Sequence, residues 1–186
     1  MDMNTLREME TTLAGYRVDE KRRDEIPGYR CCELALEALR DDCYGVGAVL
    51  LDEGGHIIGE ARNEVFRNGF HSDRHAEMIA LNDFEKQFPF YGDRSGLTMV
   101  VSLEPCPMCF TRLLLAGIGR LIYLAEDRQG GMARRLKKMP EVWRNLARLQ
   151  NSRKADASPT LVALAAQLAR FELDEKRRKL LKVIRT

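Results

Sequence analysis

The sequence predicts an α/β sandwich, and three observations predict it. Strand-like and helix-like segments alternate along the chain with no internal repeat, the pattern of a sheet covered by helices. Two β-rich runs, VGAVLLD (46–52) and HIIGEAR (56–62), flank the turn Glu53-Gly54-Gly55, so the sheet begins as an antiparallel hairpin. The 186 residues, 45% hydrophobic and 31% charged, suffice to bury the core of one globular domain without disulfide support.

Ahead of the hairpin, residues 29–42 place Cys32, Ala35, Leu36 and Leu39 on one helical stripe that should pack on the sheet. Ile26-Pro27-Gly28 reads as the turn before it, preceded by an N-terminal helix. Residues 63–74 are polar and irregular and read as a loop. Residues 75–88 return to helical spacing, with Met78, Leu81 and Phe84 among the apolar positions and His75 at the entrance. GLTMVVSLE (96–104) is a strand. Pro105 and Pro107 then open a helix that carries Cys106 and Cys109 at its start, because proline is tolerated in a first turn but not in a helix interior. Residues 120–126 form a further strand, and residues 158–181 one long helix that opens apolar and ends basic. Between these last two lies a basic, less regular connector that includes Trp143.

Five cysteines at irregular spacing, an odd number, fit a reducing compartment rather than a disulfide framework. No apolar run approaches the roughly 20 residues of a membrane helix. The opening MDMNTLREMETTLAGYR carries acidic residues where a secretory leader is basic and then apolar, so the expected compartment is the cytoplasm, with no membrane partner. Net charge is +2 but unevenly placed: residues 1–131 carry 15 basic and 23 acidic side chains, residues 132–186 carry 15 and 5. Arg134, Arg135, Lys137 and Lys138, with the run 176–179, are candidates for a phosphate-binding surface, although a solvated helix face is the commoner outcome.

Two motifs carry chemistry: His75-Ala76-Glu77 and Pro105-Cys106-Pro107-Met108-Cys109, with 27 residues between Glu77 and Pro105. Each alone is weak, since a C-x-x-C pair also serves as a redox dithiol or half of a structural zinc site. Together they supply one imidazole and two thiolates, the three-ligand set with which a catalytic zinc keeps a fourth position for water. Glu77 lies two residues beyond His75, a separation that points side chains apart in a helix interior, so both reach one metal only at the helix entrance. A carboxylate there can take a proton from an attacking water and return it to the substrate and the leaving amine. Cys43 is the competitor: as a fourth protein ligand it would close the sphere and make the site structural. Otherwise Cys31, Cys32 and Cys43 read as small core or surface thiols.

The H-x-E and P-C-x-x-C pair resembles the zinc nucleobase deaminases. The longer strings HAEMIAL and SLEPCPMC resemble the branch of tRNA adenosine deaminases and guanine or related small-base deaminases, over about residues 29–128. The resemblance implies a cytidine deaminase-like three-layer α-β-α sandwich around a mixed sheet of about five strands; the chain reads as one domain, in which residues 132–186 form a basic helical extension. It also implies Zn2+ held by His75, Cys106 and Cys109, with Glu77 as proton shuttle. Val46, Gly47 and Ala48 would line the substrate floor, Asn63 would touch base or sugar, and Asp127 would lie near the substrate, in a homodimer. Phe110-Thr111-Arg112 and the stretch 128–132 stand where the tRNA enzymes carry small residues. The expectation is therefore a hydrolytic deaminase of a free base or nucleoside, with tRNA adenosine, met through the basic C-terminal region, as the alternative and a non-catalytic zinc-stabilised RNA-binding module as a further one. His56 and His71, and the aromatics Phe66, Phe70, Phe88, Phe90 and Tyr91, read first as surface or packing residues and second as base contacts.

Overall fold

Side chains alternate across the strands as the pleat requires, and both faces of the sheet are buried, so helices must cover each. The structure, a computed structural model, describes residues 2–185. In chain order the elements are α1 (Met3–Ala14), α2 (Glu25–Arg40), β1 (Gly47–Leu51), β2 (Ile57–Arg62), α3 (Ala76–Gln87), β3 (Thr98–Leu103), α4 (Pro107–Leu115) and β4 (Arg120–Ala125). A 3-10 helix (Ala133–Lys138), α5 (Glu141–Ala147), β5 (Asn151–Lys154), α6 (Pro159–Arg170) and α7 (Leu173–Ile184) follow. Among the described residues no helix is long and apolar enough to cross a membrane.

The five strands form one mixed sheet in the order β2-β1-β3-β4-β5. β1 runs antiparallel to β2 and β3, whereas β3, β4 and β5 pair in parallel. Four strands therefore end at the same edge, and the helices that follow them begin there. Val49, Leu51, Val100, Ile122 and Leu124 face α1, α2 and α6 on one side. Ala48, Leu50, Met99, Val101, Leu121 and Tyr123 face α3, α4 and α5 on the other. The result is the three-layer α-β-α sandwich, and the expected hairpin is β1–β2.

Three expectations are corrected. Ile26-Pro27-Gly28 is not a turn but part of the first turn of α2, where a proline removes no intrahelical hydrogen bond. The connector holds a strand, β5, whose sequence NSRK shows no apolar alternation because it forms the polar edge of the sheet. The C-terminal helix is two helices, broken at Phe171 and at Glu172, a non-glycine residue with φ +50°. That left-handed residue costs about 1–2 kcal/mol, and local contacts offset it: Glu172 Oε1 accepts from the Asp2 backbone N–H at 2.6 Å, and Phe171 is buried beneath Lys176.

The close seating of α2 on β1 depends on Gly47. A Cβ there would lie 2.3 Å from the Cys31 carbonyl oxygen and 2.6 Å from Leu34 Cβ, so any side chain forces the layers apart. Gly47→Ala is expected to lower stability by about 1–3 kcal/mol, the usual cost of overpacking, read as a lower urea midpoint at unchanged slope. Gly92→Ala, whose Cβ would meet open space, is the control and should shift stability by no more than about 0.5 kcal/mol.

Candidate active site and metal centre

His75 and Cys106 hold the same local position, each as the residue just before a helix, with extended backbone (φ −74°, ψ 152° and φ −68°, ψ 169°). Each turns its side chain away from the helix that its carbonyl caps, and the two meet: Cys106 Sγ lies 3.8 Å from His75 Nδ1. Cys109, one turn into α4 behind Pro107, is fully buried and completes the group. The three ligating atoms lie within 4.8 Å of one another. Tetrahedral zinc, with bonds of about 2.0–2.3 Å, spaces its ligands by roughly 3.5–3.8 Å; the Cys106–His75 separation of 3.8 Å matches, and the 4.8 Å bound on the group leaves at most a small closure for one ion to bind all three. Among the described residues no fourth protein donor joins them. Cys43 lies in a separate apolar cluster with Val65 and Phe66, its thiol on the Asp41 carbonyl.

The electrostatics suit a cation. Cys106 is drawn down to about 4, first by the hydrogen bond from the Cys109 thiol and, against burial, by His75. The same bond, with burial, pushes Cys109 up. These shifts favour one thiolate in the pair, and a divalent ion would displace the remaining thiol proton. Burial presses His75 toward neutrality, but Cys106 and Glu77 outweigh it and raise its pKa. Glu77, in the first turn of α3, is buried, and that burial raises its carboxyl pKa, the direction that favours accepting a proton. Two helix N-termini face this group and add partial positive charge.

Glu104 ties the cysteine loop to the opposite wall. Its side chain has no exposed surface. It accepts from the backbone N–H of Asp127 at 3.1 Å, and from the backbone N–H and Nε of Arg134 at 3.0 and 2.9 Å. Gly131 packs so closely that a Cβ would lie 2.4 Å from the Glu104 carboxyl carbon, and the Met132 N–H donates to the Pro105 carbonyl at 2.9 Å.

His75, Cys106 and Glu77 lie in a cavity of about 1080 Å³. Val46, Asn63 and Asp127 line it as well, whereas Gly47 and Ala48 do not: Gly47 backs onto α2, and Ala48 lies in the core with α3. Asn63 Oδ1 accepts from the Val65 N–H at 3.1 Å, which fixes the side chain. Asp127 Oδ1 accepts from the N–H groups of Gln129 and Gly130, both at 2.9 Å, so this carboxylate shapes its own loop. His71 does not line the cavity, and His56 pairs with Asp52 on the hairpin. Phe66 and Phe70 stack in a cluster with Tyr44, and Phe88 and Tyr91 pack on Phe84, while Phe90 is exposed.

The sequence reading missed Tyr44, the aromatic wall of the cavity, and α7, which lines it with residues from Leu173 to Leu180. An aromatic residue two positions before Val46 was the available signal for Tyr44; residues 173–181 read as helical and 176–179 as a candidate phosphate surface, but no local pattern places that helix over the cavity. The basic residues singled out in the sequence are largely engaged inside the fold. Arg134 pairs with Glu104 and Glu126, Arg135 donates to the carbonyls of Arg128 and Gln129, and Lys176 is buried between Asp42 and Glu172.

These donors predict uptake of one zinc per chain, measured by atomic emission after dialysis. Cys106→Ser or His75→Ala should weaken zinc affinity by more than roughly 100-fold, beyond the loss of an outer-shell partner. Cys43→Ser should leave the stoichiometry at one; a loss there would restore the closed, structural sphere.

The model of the cytidine and deoxycytidylate deaminase zinc-binding region matches residues 24–125, more than half of the chain. A tRNA(Ile)-lysidine synthase of Deinococcus deserti is 41% identical over 98 residues, which cover 53% of this chain and 18% of that protein. The tRNA-specific adenosine deaminase of Haemophilus influenzae is 41% identical over 101 residues, 53% of this chain and 56% of that one. The chain thus spans less than two thirds of either relative. A solved guanine deaminase from Nitrosomonas europaea shares the fold, with a TM-score of 0.62 at 22% identity over 86% of this chain and 91% of that one. The family match runs from the residue that precedes α2 to the end of β4 and contains both donor segments, and the chain accordingly belongs to the cytidine and deoxycytidylate deaminase zinc-binding family.

Proposed function

We propose that the chain is a zinc-dependent hydrolytic deaminase that replaces an exocyclic amine on the purine or pyrimidine ring of a small molecule with oxygen and releases ammonia. The observation that carries this reading is Glu77, a buried carboxylate in the cavity wall beside three zinc-type donors, which a structural metal site would not need. His75, Cys106 and Cys109 would hold the ion, whose contribution when bound is to acidify a water to a pKa of about 7. Glu77 then does the proton work. Its carboxylate takes the proton of the attacking water and passes it to the ring nitrogen beside the attacked carbon. It next takes the hydroxyl proton and delivers it to the amine, which leaves as ammonia while the ring carbonyl forms. Asn63, held by the Val65 N–H, and Val46 would orient the ring in the cavity.

Support for a small substrate comes from α7. It lines the cavity and is tied down by Lys179, which donates to Asp42 at 2.7 Å, and by Lys176, 3.7 Å from the same carboxylate, which leaves little access for a folded RNA. The relative from H. influenzae favours a second reading, a tRNA adenosine substrate. Salt separates the two: an RNA enzyme binds a tRNA stem-loop with an affinity that falls steeply with salt and weakens when Lys137 and Lys138 are neutralised.

Ammonia release from a panel of bases, nucleosides, nucleotides and tRNA tests the activity. Glu77→Gln should retain zinc and lower kcat by about 10²–10⁴-fold, the range for loss of a positioned general acid-base. A variant as active as the parent would overturn the assignment.

A further inference from the structure

Four guanidinium groups stand at the rim of the cavity, and among the described residues none of them has a carboxylate within hydrogen-bonding distance. Arg128 from the loop after β4, Arg170 from the end of α6, and Arg177 and Arg178 from α7 converge on the same cavity as His75 and Glu77. Among the described residues Arg128 and Arg170 make no ion pair. Arg178 donates to the Asp174 backbone carbonyl at 3.3 Å. Arg177 donates to the neutral Gln129 amide, and its one carboxylate neighbour, Asp174, lies 3.8 Å away with its side chain 91% exposed. Arg134, by contrast, has its carboxylate at 2.9 Å. Acidic side chains also face the cavity, but most are occupied: Glu126 by Arg134, Asp127 by its own loop, and Glu172 by Lys176 and the Asp2 N–H. Asp174 and Glu175, both exposed, remain.

We propose that this rim binds the phosphate of the substrate, so that the chain deaminates a monomeric nucleotide in preference to a free base or nucleoside. The proposal rests on the deaminase reading and names its substrate class. Guanidinium groups are forked donors matched to phosphate oxygens, and those exposed at the cavity mouth without a close carboxylate are open to such an acceptor. The dimensions agree. A cavity of about 1080 Å³ slightly exceeds the roughly 300–1,000 Å³ usual for bound small molecules, and a lone base would leave most of it empty. With the ring at Glu77, these arginines are the part of the same cavity lining that offers forked donors to a phosphate. The roof formed by α7 selects the monomeric nucleotide over the same phosphate in RNA.

The test is calorimetric titration of the zinc-loaded protein with nucleoside monophosphates of adenine, guanine and cytosine, with the matching nucleosides, and with an RNA hairpin, run beside ammonia release. At least one monophosphate should bind about tenfold or more tightly than its nucleoside, the scale of a charge-assisted contact. In the Arg128→Ala/Arg170→Ala double variant that preference should fall about tenfold. Both residues are exposed, so the variant should keep its unfolding midpoint. Equal binding of nucleoside and monophosphate, a preference that survives the double variant, or an RNA hairpin bound more tightly than any monophosphate overturns the proposal. A phosphate preference without ammonia release from any compound sinks the deaminase reading and leaves the phosphate site standing; ammonia release without the preference does the reverse.

Discussion

A metal ion demands its donors at a single point, and here they come from segments 31 residues apart, so the site depends on α3 and α4 beginning side by side. The sheet enforces that. β2 and β3 point the same way although β1 separates them, and the helices that follow them must start at the same edge. The residue before each helix is extended, which frees His75 and Cys106 to project beyond the first turn, where regular helical geometry would have splayed them. The same geometry solves the problem of Glu77. Two residues into a helix it would oppose His75, but with His75 outside the helix both side chains address one volume. Helix entrances also bring partial positive charge, which lowers the cost of gathering thiolates and a carboxylate in a buried place.

Rigidity at this edge is supplied by Glu104. A carboxylate with no exposed surface is costly unless its lone pairs are filled, and two backbone N–H groups and the Arg134 guanidinium fill them. Because the same residue immediately precedes Pro105 and Cys106, the wall formed by residues 127–134 cannot shift without disturbing the cysteine loop. Gly131 permits the approach, since any side chain there would occupy the place of the carboxyl group. Wall and metal group are therefore one mechanical unit, and Arg134, which looked in the sequence like a surface charge, is a structural counter-ion.

What was legible in the sequence follows from how local its causes are. The stripe of α2, the β1–β2 hairpin, and the prolines that open α4 act over a few residues, and they read correctly. The H-x-E and P-C-x-x-C spacings were legible because coordination restricts which residue types can stand near a helix entrance. β5 was not, because an edge strand with NSRK is defined by its neighbour β4 and not by any pattern of its own. Pro27 misled because a proline marks a turn and a first helical turn equally well, and only the burial of Gly28 against Leu124 and Leu161 decides between them. The break at Glu172 was hidden because a non-glycine residue in the left-handed region is fixed by tertiary contacts.

The basic tail shows how a charge count misleads when position is unknown. Lys176 is 2% exposed and its ammonium has no hydrogen-bond partner among the described residues, so only the charges of Asp42 and Glu172 at 3.7 Å and the Phe171 ring at 5.7 Å offset its burial. Lys179 donates to Asp42 at 2.7 Å and rests on Phe66, whose cluster also holds Tyr44 on the cavity wall. One face of α7 thus consumes positive charge to press the helix onto the body. The arginines of its neighbouring face, Arg177 and Arg178, are left over the cavity with weak partners. A segment that reads in sequence as a uniform cation divides in the fold into a clasp and a rim, and only the rim remains electrostatically available to a ligand.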